Sequence, residues 1–296
     1  MRNRLIILAF ALVVALSLSL VAGAQAGRGQ APRPAGEPAA QAAAGQAASG
    51  AADVNGKKFN PRDFSGIWIR RGGDPGFGPA GTNPPLTPAG EAVIKNNVIV
   101  GRSRHPLVKS VNDPKDSNDL AIVCNPKGFP RLVIDTAHDY HEVVMLPNRM
   151  IQLWQEERRP RDIWIDGRPV PTADNIDNLG AAWYGHASGR WEQNTLVVTT
   201  VGFDDRSWLD SFGFPRSFTA RIEERYRMLD PDTLELRLTL HDPEYYTRDW
   251  VSDPKIWKKE LRGNVTNFGW YGLFTERGEL ICAPFNGKPN VNTRLQ

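Results

Sequence analysis

The sequence predicts an all-β fold: an antiparallel meander that closes into a barrel, accompanied by one or two short helices. Short runs rich in β-branched, aliphatic and aromatic residues recur along the chain. Turn dipeptides separate these runs, and no long segment has helical periodicity. A meander of about eight to ten such strands has to hide its edges, so we expect it to close on itself as a barrel or a sandwich.

The first residues carry the features of an export signal. Arg2 and Arg4 precede the apolar run 5–23, and Ala24-Gln25-Ala26 supplies the small-x-small cleavage pattern. We therefore predict a signal peptide over residues 1–26 and a periplasmic or secreted protein that has no membrane association after cleavage. Because the apolar run is also long enough to span a bilayer, retention as an uncleaved anchor stays open.

Composition sets the predicted domain boundaries. Residues 27–57 are rich in Ala, Gly and Pro and have almost no large apolar side chain, which predicts a disordered linker. Residues 58–296 contain all nine tryptophans and are predicted to form a single β-barrel-like domain. Removing Arg2 and Arg4 from the 36 Lys and Arg residues leaves 34 basic against 33 acidic residues. This balance argues against a nucleic-acid partner, and the oligomeric state stays open.

The first predicted elements are one strand and one short helix. Residues 63–69 are typical of a strand. Thr87 and Pro88 have the residue types of an N-cap and a first helical position, which predicts a helix that runs through Lys95. Residues 101–131 are polar and rich in turn residues.

Most of the predicted strands lie beyond residue 131. They are short runs separated by turn signals, and they cover residues 132–136, 141–146, 149–156, 161–166, 183–190, 195–203, 219–228 and 233–241. Pro147-Asn148 and Asp166-Gly167 are two of the turn dipeptides. The last two strands are the most regular, because alternate residues of 233–241 are leucines, which gives one apolar and one polar face.

Two short segments resemble known families. Residues 183–192 (WYGHASGRWE) and the segment Cys124–Arg131 resemble a family of exported β-rich proteins that is abundant in soil bacteria such as Acidobacteria and mostly lacks an assigned activity. That resemblance covers roughly residues 63–255 and implies no catalytic residue. The family's usual acidic-Gly-Asp turn is Glu192-Gln193-Asn194 here. Separately, Gly66-x-Trp68 is similar to the opening of lipocalin-like barrels, which implies a lipocalin-like barrel.

The two cysteines, Cys124 and Cys282, lie far apart in the sequence. In an exported domain we predict a disulfide between them, which would stabilise the fold by about 3–5 kcal/mol through loop-closure entropy. A pair of buried free thiols is the alternative.

His186 is a candidate general base. On an extended strand, Tyr184, His186 and Ser188 share one face, while small residues occupy the other. A histidine flanked by two hydroxyls in a cavity has the chemistry for proton transfer, so we name His186 and Tyr184 as candidate catalytic residues. A hydrogen-bonded structural histidine is the alternative.

Glu224 is the other catalytic candidate. It falls on the apolar face of its strand with Ile222 and Tyr226, so we predict that its carboxylate points inward. Burial raises a carboxyl pKa, and perturbed carboxylates mark functional sites. The alternative is a structural ion pair with an inward arginine, either Arg131 or Arg161.

The abundance of tryptophan indicates either an aromatic-lined cavity or a filled barrel core. We expect most of the tryptophans to pack in the core, and the residues predicted to contact a ligand are Trp154, Tyr226, Arg131 and His141. No metal site is predicted, because His138 and His141 would point to opposite faces of a strand. No other cofactor is predicted either, since the chain has no Gly-rich phosphate loop.

The sequence thus favours an exported β-barrel protein that binds a small apolar or aromatic molecule. The alternative is a cofactor-independent hydrolase, lyase or isomerase that uses His186 and Glu224 in the barrel cavity. A third hypothesis is an interaction module of the cell envelope, carried on the Ala/Gly-rich linker.

Overall fold

The computed structural model describes residues 51–52, 58–70, 73–135, 140–154, 157 and 160–259. The strands, in chain order, are β1 (Ala51–Ala52), β2 (Lys58–Phe59), β3 (Gly66–Ile69), β4 (Val98–Val100), β5 (Lys109–Val111), β6 (Tyr140–Leu146), β7 (Arg149–Trp154), β8 (Arg161–Trp164), β9 (His186–Glu192), β10 (Thr195–Val201), β11 (Arg221–Asp230), β12 (Thr233–His241), β13 (Trp250–Val251) and β14 (Lys255–Lys259).

The helices are short. They are α1 (Pro88–Ile94), α2 (Arg131–Asp135) and α3 (Ala173–Leu179), with 3₁₀ turns at Pro114–Asp116 and Leu120–Val123. Within the described ranges, no helix has the length and apolar character needed to cross a membrane. The predicted signal peptide, most of the predicted linker and Cys282 lie outside the described residues, so the Cys124–Cys282 disulfide stays a prediction.

Nine strands close into a barrel, which confirms the predicted all-β fold. Each strand of the ring pairs with the next in the order β3, β6, β7, β8, β9, β10, β11, β12 and β14. The last strand, β14, pairs with β3 and closes the ring. The ring therefore has no open edge among its nine strands. The short strand β13 lies outside this ring and pairs with the end of β12.

One pairing in the ring departs from the antiparallel pattern. β8 and β9 run parallel, with Ile163 opposite Ala187 and Trp164 opposite Ser188, whereas the other eight pairings are antiparallel. Strand directions cannot alternate all the way around a ring of nine, so an odd-numbered barrel needs a parallel pair. A parallel pair also needs a long crossover. Here residues 165–185 supply it, and they carry α3.

The most regular predicted hairpin is confirmed. β11 and β12 pair from Arg221 opposite His241 to Met228 opposite Leu234. The leucines of β12 are buried, as the alternation predicted. Glu224 lies opposite Leu238 and is also buried, so the predicted inward orientation is correct.

The predicted first helix is confirmed as well. Helix α1 begins directly after Thr87, whose side chain accepts a hydrogen bond from the backbone N–H of Gly90 at 3.1 Å. Pro88 occupies the first helical position, and Lys95 caps the end. The N-cap and proline signals therefore located this element correctly.

The prediction of a strand at 132–136 is wrong. Residues 132–135 lie in helix α2, in which Leu132 donates its backbone N–H to Gly128 and Ile134 donates to Pro130. Arg131, Leu132, Val133 and Ile134 are all buried. Because the short helix is covered on every side, its sequence shows no helical periodicity, and its β-branched residues resemble a buried strand.

The barrel interior is filled by large side chains. Trp68, Trp154, Trp257 and Tyr226 are each at most 1 % exposed, and the leucines of β12 pack among them. Met150 and Trp154 alternate inward on β7, as expected. The tryptophans of the interior therefore serve mainly as core, which is the role expected for most of them.

Candidate functional site

A cleft lies against the outer face of the barrel where the crossover covers the parallel strands. Its volume is about 590 Å³, and it is lined by β8, by the start of β9, by parts of the crossover 165–185, and by Asp204 and Arg206. We call it the crossover cleft. The long connection between β8 and β9 thus forms a second layer over these two strands. The cleft is the space between this layer and the strands.

Alternation along β8 and β9 decides which side chains face the cleft. Ile163 and Ala187 point into the core, whereas Trp164, His186 and Ser188 are on the outer face and line the cleft. A Cβ on Gly189 would contact core side chains, which places that residue inward too. The predicted separation of His186 and Ser188 from the small residues of this strand is therefore correct.

Helix α3 shapes the crossover. Thr172 is its N-cap, and a capping box joins Thr172 and Asn175 reciprocally. Ile176 is buried, whereas Leu179 lines the cleft and is 59 % exposed. This helix was not predicted from the sequence, although the Thr172-x-x-Asn175 spacing is a signal that could have located it.

Glycines let the crossover approach the barrel closely. Gly185 has φ +64°, and a Cβ there would lie 2.7 Å from the Thr200 side chain and 2.8 Å from the Val201 carbonyl oxygen. A Cβ on Gly202 would lie 2.9 Å from Cδ2 of His186. The end of the crossover and the start of β9 thus lie closer to Thr200, Val201 and Gly202 than a residue larger than glycine at position 185 or 202 would permit.

Two arginines stack on two tryptophans in the cleft. The guanidinium carbon of Arg168 lies 3.8 Å from the ring centroid of Trp164, and that of Arg206 lies 4.9 Å from the ring centroid of Trp183. All four residues line the cleft. Stacking of this kind combines cation–π attraction with contact between two flat surfaces.

Each of these arginines is held by a carboxylate two residues before it. Arg168 binds Asp166 at 2.7 Å, and Arg206 binds Asp204 at 2.6 Å. The hydrogen bonds from the arginines lower the pKa of both carboxyls, so both stay ionised at neutral pH. The loop at Asp204 thus pairs with its own arginine.

The candidate residues on the outer face are fixed by hydrogen bonds. His186 is half-buried, and its Nε2 lies 2.9 Å from the carbonyl oxygen of Gly180. Ser188 donates its hydroxyl to the carbonyl of Arg168 at 2.6 Å, and Tyr184 donates to the Glu157 carboxylate. His186 and Tyr184 line the same cleft.

Glu224 is buried in the interior and is not among the residues that line the crossover cleft. Its carboxylate pairs with Arg161 and accepts hydrogen bonds from Thr200 and Tyr226. Of the two partners considered from the sequence, Arg161 is the correct one. The structure therefore places His186 in the outer cleft and Glu224 in the core, and the catalytic roles of both remain predictions.

The residues predicted to contact a ligand occupy buried positions. His141 stacks on Trp154 with ring centroids 4.4 Å apart, and burial lowers the pKa of His141 to about 3. Tyr226 donates to Glu224, and burial raises its pKa. Arg131 binds Asp119 through both terminal nitrogens.

These four residues are absent from the lining of the crossover cleft. His138, the possible metal partner of His141, lies outside the described residues. Within the described part of the chain, no three His, Cys, Asp or Glu side chains are grouped so that they could hold a metal ion. Whether His141, Trp154, Tyr226 or Arg131 contacts a ligand therefore stays a prediction.

Sequence reasoning missed Arg168 and did not single out Trp164 and Trp183 from the other tryptophans. The alternation of β8 held a usable signal, because Trp164 follows the inward Ile163 and must point outward. An outward tryptophan beside a turn arginine is a candidate for an exposed binding surface. No family model, curated protein or solved structure matches the chain.

Proposed function

We propose that this is an exported protein that binds a small planar aromatic molecule in the crossover cleft. The observation that carries the proposal is the pair of stacks, Arg168 on Trp164 and Arg206 on Trp183, in one cleft. Guanidinium groups and indole rings both present flat faces that receive another aromatic ring. The cleft volume of about 590 Å³ falls within the range of small-molecule sites, about 300–1,000 Å³.

The site proposed here is the outer cleft rather than the barrel interior. The interior holds tightly packed tryptophans and the Arg161–Glu224 pair, which are at most 3 % exposed. A ligand there would have to displace core side chains, at a cost of several kcal/mol. The cleft needs no such rearrangement, and the side chains of Arg168 and Arg206 are 45 % and 63 % exposed.

Calorimetric titration of the full chain with 2-naphthol tests the proposal. Decahydro-2-naphthol, the saturated analogue, has a similar size and a hydroxyl group but no flat π face. We expect 2-naphthol to bind and the saturated analogue to bind about tenfold more weakly. Equal affinities would indicate an apolar site without aromatic selectivity, and no binding of either probe would contradict the proposal.

A lysine substitution tests the role of the flat guanidinium. Arg168→Lys keeps the positive charge and loses the planar stacking surface, so we expect 2-naphthol to bind three- to tenfold more weakly, roughly one stacking interaction. Arg190→Lys is the matched control, because Arg190 lies on the outer face of β9 beyond the cleft and is 61 % exposed. This control should bind like the wild type.

A further inference from the structure

The hydrogen bond between His186 and Gly180 identifies the nitrogen of the imidazole that carries a proton. A backbone carbonyl oxygen accepts hydrogen bonds and cannot donate them, so Nε2, which lies 2.9 Å from it, must be the donor. In the neutral ring the other nitrogen, Nδ1, then has no proton and is a hydrogen-bond acceptor. The crossover therefore selects one of the two tautomers of His186.

The contacts that the structure shows for the ring lie on its Cδ2 and Nε2 side. The Cδ2 atom of His186 lies close to Gly202, and the Ile176 side chain lies close to Gly202 as well. Nε2 donates its hydrogen bond to the carbonyl oxygen of Gly180. Nδ1 and Cε1 form the opposite edge of the ring. His186 is half-buried and lines the crossover cleft, and no described residue donates a hydrogen bond to Nδ1.

The other polar side chains of the cleft already have partners. Arg168 and Arg206 bind carboxylates, Ser188 donates to a carbonyl, and Tyr184 donates to Glu157. Nδ1 of His186 differs from these groups, because no donor among the described residues is bonded to it, and it is open to a ligand. An acceptor inside a cleft is well satisfied by a ligand group that donates a hydrogen bond.

We propose that the ligand is a hydroxylated aromatic molecule, of the phenol or naphthol class, whose hydroxyl group donates a hydrogen bond to Nδ1 of His186. The inference rests on the proposed function, because it assumes that the aromatic ring lies in the crossover cleft. It adds a polar anchor to the flat surfaces of the two stacks, and such an anchor fixes the orientation of a ring that stacking alone leaves free to slide.

Binding of 2-naphthol and of its methyl ether, 2-methoxynaphthalene, tests this inference. The ether keeps the ring and the oxygen but cannot donate a hydrogen bond. We expect the wild type to bind 2-naphthol about tenfold more tightly than the ether. In His186→Phe, which keeps a flat ring without an acceptor, 2-naphthol should lose this advantage while the ether binds as before. His241→Phe, at an exposed histidine outside the cleft, should retain the full discrimination.

The outcomes separate this inference from the proposed function. If both probes bind equally to the wild type, or if His186→Phe still discriminates, the hydroxyl contact is wrong while the aromatic site stands. If neither probe binds to the wild type, the proposed function fails, and the inference fails with it.

A second measurement covers the case in which His186→Phe does not fold. In wild-type protein labelled with ¹⁵N in its histidines, two-bond proton–nitrogen correlations report which ring nitrogen is unprotonated. We expect Nδ1 of His186 to be unprotonated. Its ¹⁵N chemical shift should move toward that of a protonated ring nitrogen when 2-naphthol is added, and should not move when the ether is added. A bare Nε2, or no response to 2-naphthol, would overturn the inference.

Discussion

Arg161 and Glu224 form a two-pronged ion pair inside the barrel, with Nη1–Oε2 and Nη2–Oε1 distances of 2.9 and 2.6 Å. Each carboxylate oxygen has a second donor, since Thr200 donates to Oε1 at 2.6 Å and Tyr226 donates to Oε2 at 2.8 Å. Gln152 extends the network, because its carbonyl oxygen accepts from Arg161 and its amide donates to Tyr226. A carboxylate with four donors is fully satisfied, which favours a structural role for Glu224.

The first prediction concerns this pair. Glu224→Gln keeps the size of the side chain and removes the charge, so it leaves the buried guanidinium of Arg161 without a counter-ion. Breaking a buried pair in this way costs about 3–5 kcal/mol of unfolding free energy, which chemical denaturation would measure. Little loss of stability together with lost ligand binding would instead support a functional role for Glu224.

Two control variants separate charge from packing. Replacing both partners, Arg161→Met with Glu224→Leu, removes the pair without leaving a lone charge, and we expect it to be less destabilising than Glu224→Gln alone. Arg225→Gln on the same strand disrupts an exposed pair with Glu192, in which both side chains are 41 % exposed. That change should cost less than about 1 kcal/mol.

The sequence was sufficient where one strand face is apolar and the other polar. The alternation in 233–241 predicted which face of that strand is buried, because a one-residue slip would expose every leucine. The alternation in 219–228 predicted the inward position of Glu224. Alternation within one strand does not show which other strand it pairs with, or whether that pairing is parallel or antiparallel. The parallel pairing of β8 and β9 was therefore not predictable, and neither was the crossover that it requires.

The candidate cleft was hidden from sequence reasoning for the same reason. Its walls come from β8, β9 and the crossover, which lie together only after the ring closes with nine strands. Helix α3 buries Ile176 and leaves Leu179 exposed, so it has too little apolar periodicity to be recognised. His186 was identified correctly as facing away from the small residues of its strand, although the surface that it faces is outside the barrel.

Export gives a second prediction. If the N-terminal segment is a cleaved signal peptide, protein secreted by a suitable bacterial host should begin at Gly27, which N-terminal sequencing would establish. Intact Arg2 in the membrane fraction would show instead that the apolar segment is kept as an anchor. An Ala24→Arg, Ala26→Arg variant should accumulate uncleaved precursor, because the peptidase requires small residues at these two positions.

The third prediction concerns the glycine that joins the crossover to β9. Gly185→Ala places a Cβ less than 3 Å from the Thr200 side chain and the Val201 carbonyl, at a positive φ. We expect it to reduce the unfolding free energy by more than about 2 kcal/mol. Gly167→Ala is the matched control: its φ is +83°, with no other atom within 4 Å of the added carbon, so it should cost only about 1 kcal/mol. Equal effects of the two substitutions would contradict the close approach at Gly185.

The last prediction concerns the pH dependence of stability through His141. Burial lowers the pKa of His141 to about 3, and the ring is 1 % exposed and stacked on Trp154. In the unfolded chain a histidine has a pKa of about 6.5. Between these two values the unfolded state binds a proton that the folded state does not, so stability is lost as the pH falls from about 6.5 toward 3.

His141→Phe keeps a flat ring against Trp154 and removes this titration. We expect the unfolding free energy of the wild type to fall more steeply between pH 7 and pH 4 than that of the variant, by an amount on the order of 3 kcal/mol. Urea denaturation at several pH values would measure both curves. A packing defect in the variant would appear as a constant offset at every pH, whereas the loss of the histidine changes the slope. Parallel curves would show that His141 is protonated in the folded state, or that it has access to solvent in the barrel.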